Sequence, residues 1–308
     1  MNKIERVKAA LKGEQVDRVP ASFWFHFPSD TVAGEAMAAA HLDYYRSCNL
    51  DFLKVMNDNG YETPECCPDK ITTADQWADL EPTPLSAACY RNQLDGLRLI
   101  CDELKHECLV ITTVFCPFAT GNMISDGKVA EHVRENPEAV AKGLAAIAES
   151  LAGFARACVE AGAAGIFFSA QGGGKDVFTD EEFDSVMKPA DVAVLAAAGD
   201  APFNLLHICG EDLKLGRYVD YPATAVNWST QWGNLGIPEG RELFDCAIVG
   251  GMDQRGPMVD GTRDAIRAEV DEALAQGGPA AFILGAGCTL PGDIVYENIK
   301  FVMDYAGG

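Results

Sequence analysis

Eight short apolar runs recur along the chain, most of them separated by stretches of helical character, and this alternation constrains the fold more than any other feature. The runs are VPASFW (19–24), DFLKVM (51–56), LVITTVF (109–115), AGIFFSA (164–170), FNLLHIC (203–209), AVNWS (225–229), AIVGGMD (247–253) and AFILGAG (281–287). Strands apolar along their whole length are buried on both faces, which parallel strands with crossover helices achieve. Eight such units in 308 residues favour an α/β fold of the (β/α)8 TIM-barrel type, formed as one domain over 1–308, ahead of an open doubly wound sheet.

Helix signals fill the gaps. Ile4, Val7 and Leu11 mark one face of a segment that stops at Gly13, and residues 136–162 keep a helix-favouring composition for several turns before Gly162. Thr179 followed by Glu182 reads as a capping box. The stretch TRDAIRAEVDEALAQGG closes at Gly277 and Gly278. Residues 59–92 contain no clear strand and read as an elaborated loop on the barrel face. SAQGGGKDVF (169–178) follows a strand but has neither a dinucleotide fingerprint nor Walker spacing, leaving a mobile active-site loop or a surface turn.

Charge narrows the function. With 46 acidic against 24 basic residues the net charge is −22, which repels nucleic acid and anionic membrane surfaces. The longest apolar stretch, AAIAESLAGFARACVEAGAAGIFF, is interrupted by Glu149, Arg156 and Glu160, short of the roughly 18 continuous residues of a bilayer span. Eleven cysteines scattered without framework spacing, and an N-terminal segment without a signal-type apolar stretch, suggest a reduced, cytoplasmic protein.

Barrel strands deliver their C-terminal residues to a common mouth. His207 and Cys209 lie two apart at the end of one run, so in extended backbone both point the same way, and the last run delivers Cys288 to the same rim. One imidazole and two thiolates suit tetrahedral Zn2+ with its fourth position open. A buried histidine and ordinary thiols are the alternative. Asp58 follows the second run, as a proton acceptor or a turn cap. Trp24 and His26 follow the first, lining a cofactor face or simply packing. Asn227, Trp228, Asp253 and Gln254 are rim groups that can line a cofactor or orient ligands. Cys116 is a weaker rival ligand, and the adjacent Cys66 and Cys67 read as ordinary thiols.

The segments ERVKAALKGEQVDRVP, LLHICG, VGGMDQR and GAGCTLPGDIVYENIKFVMDYA occur in an order that resembles the uroporphyrinogen decarboxylase superfamily, and within it the cobalamin-dependent methyltransferases. That resemblance implies zinc held by His207, Cys209 and Cys288, a corrinoid carried by a partner protein, and methyl transfer to or from a thiol or related acceptor. Asp58 resembles the family's aspartate at the corresponding strand end. The decarboxylases carry arginines after the first strand for substrate carboxylates, whereas this chain has none between Arg18 and Arg46, which counts against decarboxylation. A non-catalytic corrinoid- or metal-binding partner protein is the third reading.

Overall fold

A computed structural model describes residues 1–307. Seven strands form one parallel sheet in chain order: β1 (Phe52–Val55), β2 (Leu109–Phe115), β3 (Gly165–Ala170), β4 (Leu205–Ile208), β5 (Ala225–Trp228), β6 (Ala247–Met252) and β7 (Phe282–Ala286). The sheet curls, with helices packed on its outer face, as in a TIM-like barrel.

The first expected strand, 19–24, is extended but forms no regular ladder. It makes isolated parallel bridges, Ala21 with Leu284 and Phe25 with Leu290. Leu284 donates to the Pro20 carbonyl at 2.8 Å, and Ser22 donates back to Leu284 at 3.1 Å. On the other side Asp51 donates to the Ala21 carbonyl at 3.0 Å, while the Ser22 hydroxyl donates to Phe52 at 2.7 Å. Pro20 has no N–H, and part of the pairing with β1 runs through a side chain, so the segment links both sheet edges without becoming a strand.

Alternation along the strands sorts residues into two packing sets. Phe52, Leu109, Ile111, Phe167, Phe203, Leu205, Ala225, Ala247, Val249 and Ile283 fill the interior of the curl together with Trp24. Leu53, Val55, Val110, Phe168, Leu206, Val226, Ile248 and Leu284 face the helices. Each such aromatic or aliphatic side chain contributes about 1.5–3 kcal/mol on burial, and the interior set forms a plug under the mouth.

Most helix boundaries follow the sequence signals. The first helix, Lys3–Leu11, carries a capping box from Asn2 and Glu5. The longest, Pro137–Glu160, begins at the Asn136 cap. The Thr179 capping box is present, but the expected single helix after it contains a π turn, Phe183–Met187, before Lys188–Ala197. Pro189 is the cause: it cannot donate to the Ser185 carbonyl, and its ring crowds that position, widening the turn. Residues 59–92 are not simply a loop. They contain a short turn of helix, Ala74–Asp79, and the start of a helix at Ala88. Trp77 is fully buried, its Nε1 donating to His132 Nδ1 at 3.0 Å. The glycine-rich stretch after β3 is a packed turn: Gly174 bridges Leu213, and Lys175 donates to the Asp212 carbonyl at 3.0 Å.

Among the described residues no helix is long and apolar enough to cross a membrane, and all eleven cysteines are free thiols.

Candidate metal centre

β4 and β7 bring the expected ligands together. His207 lies on β4, Cys209 immediately after it and Cys288 just past β7. One donor atom from each falls within 4.8 Å of the other two, and His207 Nε2 is 3.5 Å from Cys288 Sγ. A tetrahedral zinc with bonds of roughly 2.0–2.3 Å requires donors roughly 3.5–3.8 Å apart, so the donor set fits the ion in its chemistry, and the His207–Cys288 pair fits in its spacing.

Asn227 decides which histidine nitrogen faces the site. Paired with His207 across the β4–β5 ladder, it donates from Nδ2 to the Val249 carbonyl at 2.8 Å and to the Ala286 carbonyl at 3.1 Å. Its Oδ1 is thereby turned to His207 Nδ1, 2.5 Å away. A reversed amide would set oxygen against two carbonyl oxygens, so Oδ1 accepts and Nδ1 carries the proton. The Nε2 lone pair is left for a ligand, the usual outer-shell arrangement of a metal-binding histidine. The Phe167 ring stacks against the imidazole at 5.1 Å and fixes its plane.

The two neighbouring thiols perturb each other: Cys209 holds the Cys288 thiol well below the ordinary thiol range, with His207 adding to the effect. The same contact, with burial, pushes Cys209 up.

The donors open onto a cavity of about 210 Å³ whose lining also includes His26, Lys54, Met56, Phe115, Phe167 and Gln171. At its rim His26 Nδ1 lies 2.7 Å from Asp58 Oδ1, so Asp58 reaches the cavity through His26. Trp24 and Trp228 do not line it. Trp24 is buried in the interior set, edge-on to Phe167 at 5.3 Å. Trp228 follows Asn227 on the strand and so points to the opposite face, where it packs on Phe244 and donates to the Leu235 carbonyl at 2.8 Å. Asp253 lines a separate cavity of about 430 Å³ with Glu269 and Thr230, its carboxylate accepting from the Arg255 N–H at 2.8 Å. Gln254 is buried, with no hydrogen-bond partner for its amide among the described residues. Cys116 caps the helix Pro117–Ser125 and also accepts from the Gln171 N–H at 3.2 Å; it is not in the donor set. Cys66 and Cys67 lie with their sulfurs 3.8 Å apart and are also outside it.

Sequence reasoning missed Lys54. Its signal is positional: a lysine between Phe52 and Met56 on a strand face that points inward. It is 3 % exposed, and burial lowers its ammonium to about 7.

A family model described as uroporphyrinogen decarboxylase (URO-D) matches residues 56–307. The chain belongs to that family. Its fold is similar to that of a methyltransferase from Methanosarcina mazei, at TM-score 0.84 and 20% identity over 100% of this chain and 98% of the other. More distant likeness reaches a B12-independent methionine synthase from Shewanella sp. W3-18-1, at TM-score 0.62 and 9% identity over 94% and 96% of the two chains. A putative B12-independent methionine synthase from Listeria monocytogenes follows at TM-score 0.59 and 11% identity over 88% and 85%. No curated protein sequence matches the chain. At these identities the neighbours speak for the fold, and function has to be argued from the site.

Proposed function

We propose that this URO-D family protein is a zinc-dependent methyltransferase, moving a methyl group between a corrinoid carried by a partner protein and a small thiol or related acceptor. The observation that carries the reading is the donor set itself: His207 Nε2 freed by Asn227, with two sulfurs beside it. Bound there, Zn2+ would lower a substrate thiol from about 8.5 and hold it as a nucleophilic thiolate at its fourth position. His207, Cys209 and Cys288 would hold the ion. Met56, Phe115 and Phe167 give the cavity apolar walls that limit water. At the rim, Asp58 holds His26 at Nδ1, leaving Nε2 to take the proton that the thiol gives up.

Two rivals are less well supported. A decarboxylase of the family type must compensate several substrate carboxylates, whereas the 210 Å³ cavity offers Lys54 and His26 and no arginine. A purely structural zinc needs a fourth protein ligand, and among the described residues the cluster has three members. The test incubates purified protein with methylcobalamin and a panel of thiols while following the methyl–cobalt absorption, alongside metal analysis. Stoichiometric zinc and thiol-dependent demethylation are expected, both lost in a Cys209→Ala/Cys288→Ala double variant. Zinc-free protein that turns over a porphyrinogen would overturn the proposal.

A further inference from the structure

Lys54 is a buried cation with an unfinished environment. It lies on the interior face of β1, almost wholly enclosed. Its Nζ donates to the Met56 thioether, a weak acceptor, and sits 4.3 Å from the centroid of the Phe167 ring and 6.0 Å from that of Trp24. Cation–π contact offsets only part of the desolvation cost of an isolated buried ammonium. Among the described residues no carboxylate forms an ion pair with it. Asp58, whose charge acts on it, is engaged by His26, and Cys288 belongs to the donor set. Leucine or methionine would suit this strand position better on stability alone. What lysine adds is a charge on the wall of the cavity, beside the neutral hydrogen-bonding groups of Thr113, Ser169, Gln171 and Thr289. A buried cation beside several neutral hydrogen-bonding groups on a cavity wall is an arrangement that receives an oxyanion.

We propose that Lys54 forms an anion subsite, receiving the carboxylate or equivalent oxyanion of a compact substrate and so selecting charged over neutral molecules in this cavity. The subsite deepens the preceding reading, in that the anion-bearing molecule is the acceptor whose other end meets the metal donors. Its recognition by Lys54 does not itself require a metal. The other basic side chains of the lining are already engaged, His26 by Asp58 at the rim and His207 by Asn227, so the selectivity rests on one residue.

The experiment compares wild type with Lys54→Met, a neutral side chain of similar length that suits neighbours such as Met56 and Phe167. Because the Lys54 ammonium is held down to about 7, binding is measured at about pH 6, where the cation predominates. In the first arm propionate and its neutral counterpart propionamide are titrated calorimetrically into zinc-free protein. In the second, 3-mercaptopropionate and 3-mercaptopropionamide are titrated into Co2+-substituted protein, read by the cobalt–thiolate absorption. Wild type is expected to prefer the acid over the amide by at least about tenfold in both arms, and Lys54→Met to lose that preference while keeping its affinity for the amide. An acid-to-amide ratio near one in wild type, or one unchanged by the substitution, overturns the subsite. A silent cobalt arm with an intact first arm would count against the metal reading alone, and a cobalt signal without selectivity against the subsite alone.

Discussion

At His207 the proton position is set by a residue two strands' worth of hydrogen bonds can explain. Asn227 spends its two N–H donors on carbonyls of Val249 and Ala286, which obliges its oxygen to accept from Nδ1. Asn227→Leu keeps the volume but strands the Nδ1 proton and frees the ring to adopt the other tautomer. Zinc affinity, measured by competition with a chromophoric chelator, is expected to fall about 10- to 100-fold, with a stability loss of about 1–3 kcal/mol from the unpaired buried groups. Affinity unchanged by the substitution would remove Asn227 from the site. Much at this scale was legible in the sequence. The two-residue spacing of His207 and Cys209 at a strand end sufficed to bring both to one point, and Cys288 needed only the end of the last strand. The same parity rule sends Trp228 outward once Asn227 faces in. Lys54 escaped because one lysine in DFLKVM looks ordinary until the curl of the sheet turns it inward over the Phe167 ring.

The elements were legible wherever their signals are local. Apolar spacing, composition and terminal glycines located the helices at Lys3–Leu11, Pro137–Glu160 and Arg263–Gly277. The turn of helix Ala74–Asp79 was not, because its place depends on a tertiary contact. Trp77 packs onto the helix Pro137–Glu160 at Gly143, where a Cβ would lie 2.6 Å from the Trp77 carbonyl oxygen and 2.8 Å from its ring. Gly153 on the same helix has nothing closer than the end of Arg156 at 4.0 Å. The pair separates packing from propensity. Gly153→Ala is expected to stabilise by about 0.5–1 kcal/mol. Gly143→Ala gains the same propensity yet is expected to destabilise by about 1–3 kcal/mol through overpacking. Urea denaturation of both variants checks the opposite signs; stabilisation by both would mean that Trp77 is not held against that helix.

Over the whole molecule the eightfold alternation translated into one parallel curled sheet, and the shortfall to seven regular strands lies where the chain joins the sheet's edges. That join depends on Asp51, which is fully buried just before β1. Its carboxylate accepts from Arg6 Nη1 at 2.9 Å, from Arg18 Nη1 at 2.7 Å and Nη2 at 2.9 Å, and from the Ala21 N–H at 2.8 Å. One side chain thus ties the first helix, the 19–25 segment and β1 together at the end of the sheet away from His207, Cys209 and Cys288, where barrel residues serve stability and not chemistry. The far end of the same segment supports the site: the Leu290 N–H, two residues beyond Cys288, donates to the Trp24 carbonyl at 2.9 Å. Asp51→Asn leaves the Arg18 guanidinium without its anion and Arg6 with Asp17 alone, and is expected to cost about 3–5 kcal/mol. If the segment couples the sheet's base to its mouth, zinc affinity should also fall, although Asp51 touches none of the three ligands. Denaturant unfolding and zinc competition on the same protein separate the outcomes: stability lost with affinity intact would show that Cys288 is positioned by β7 alone.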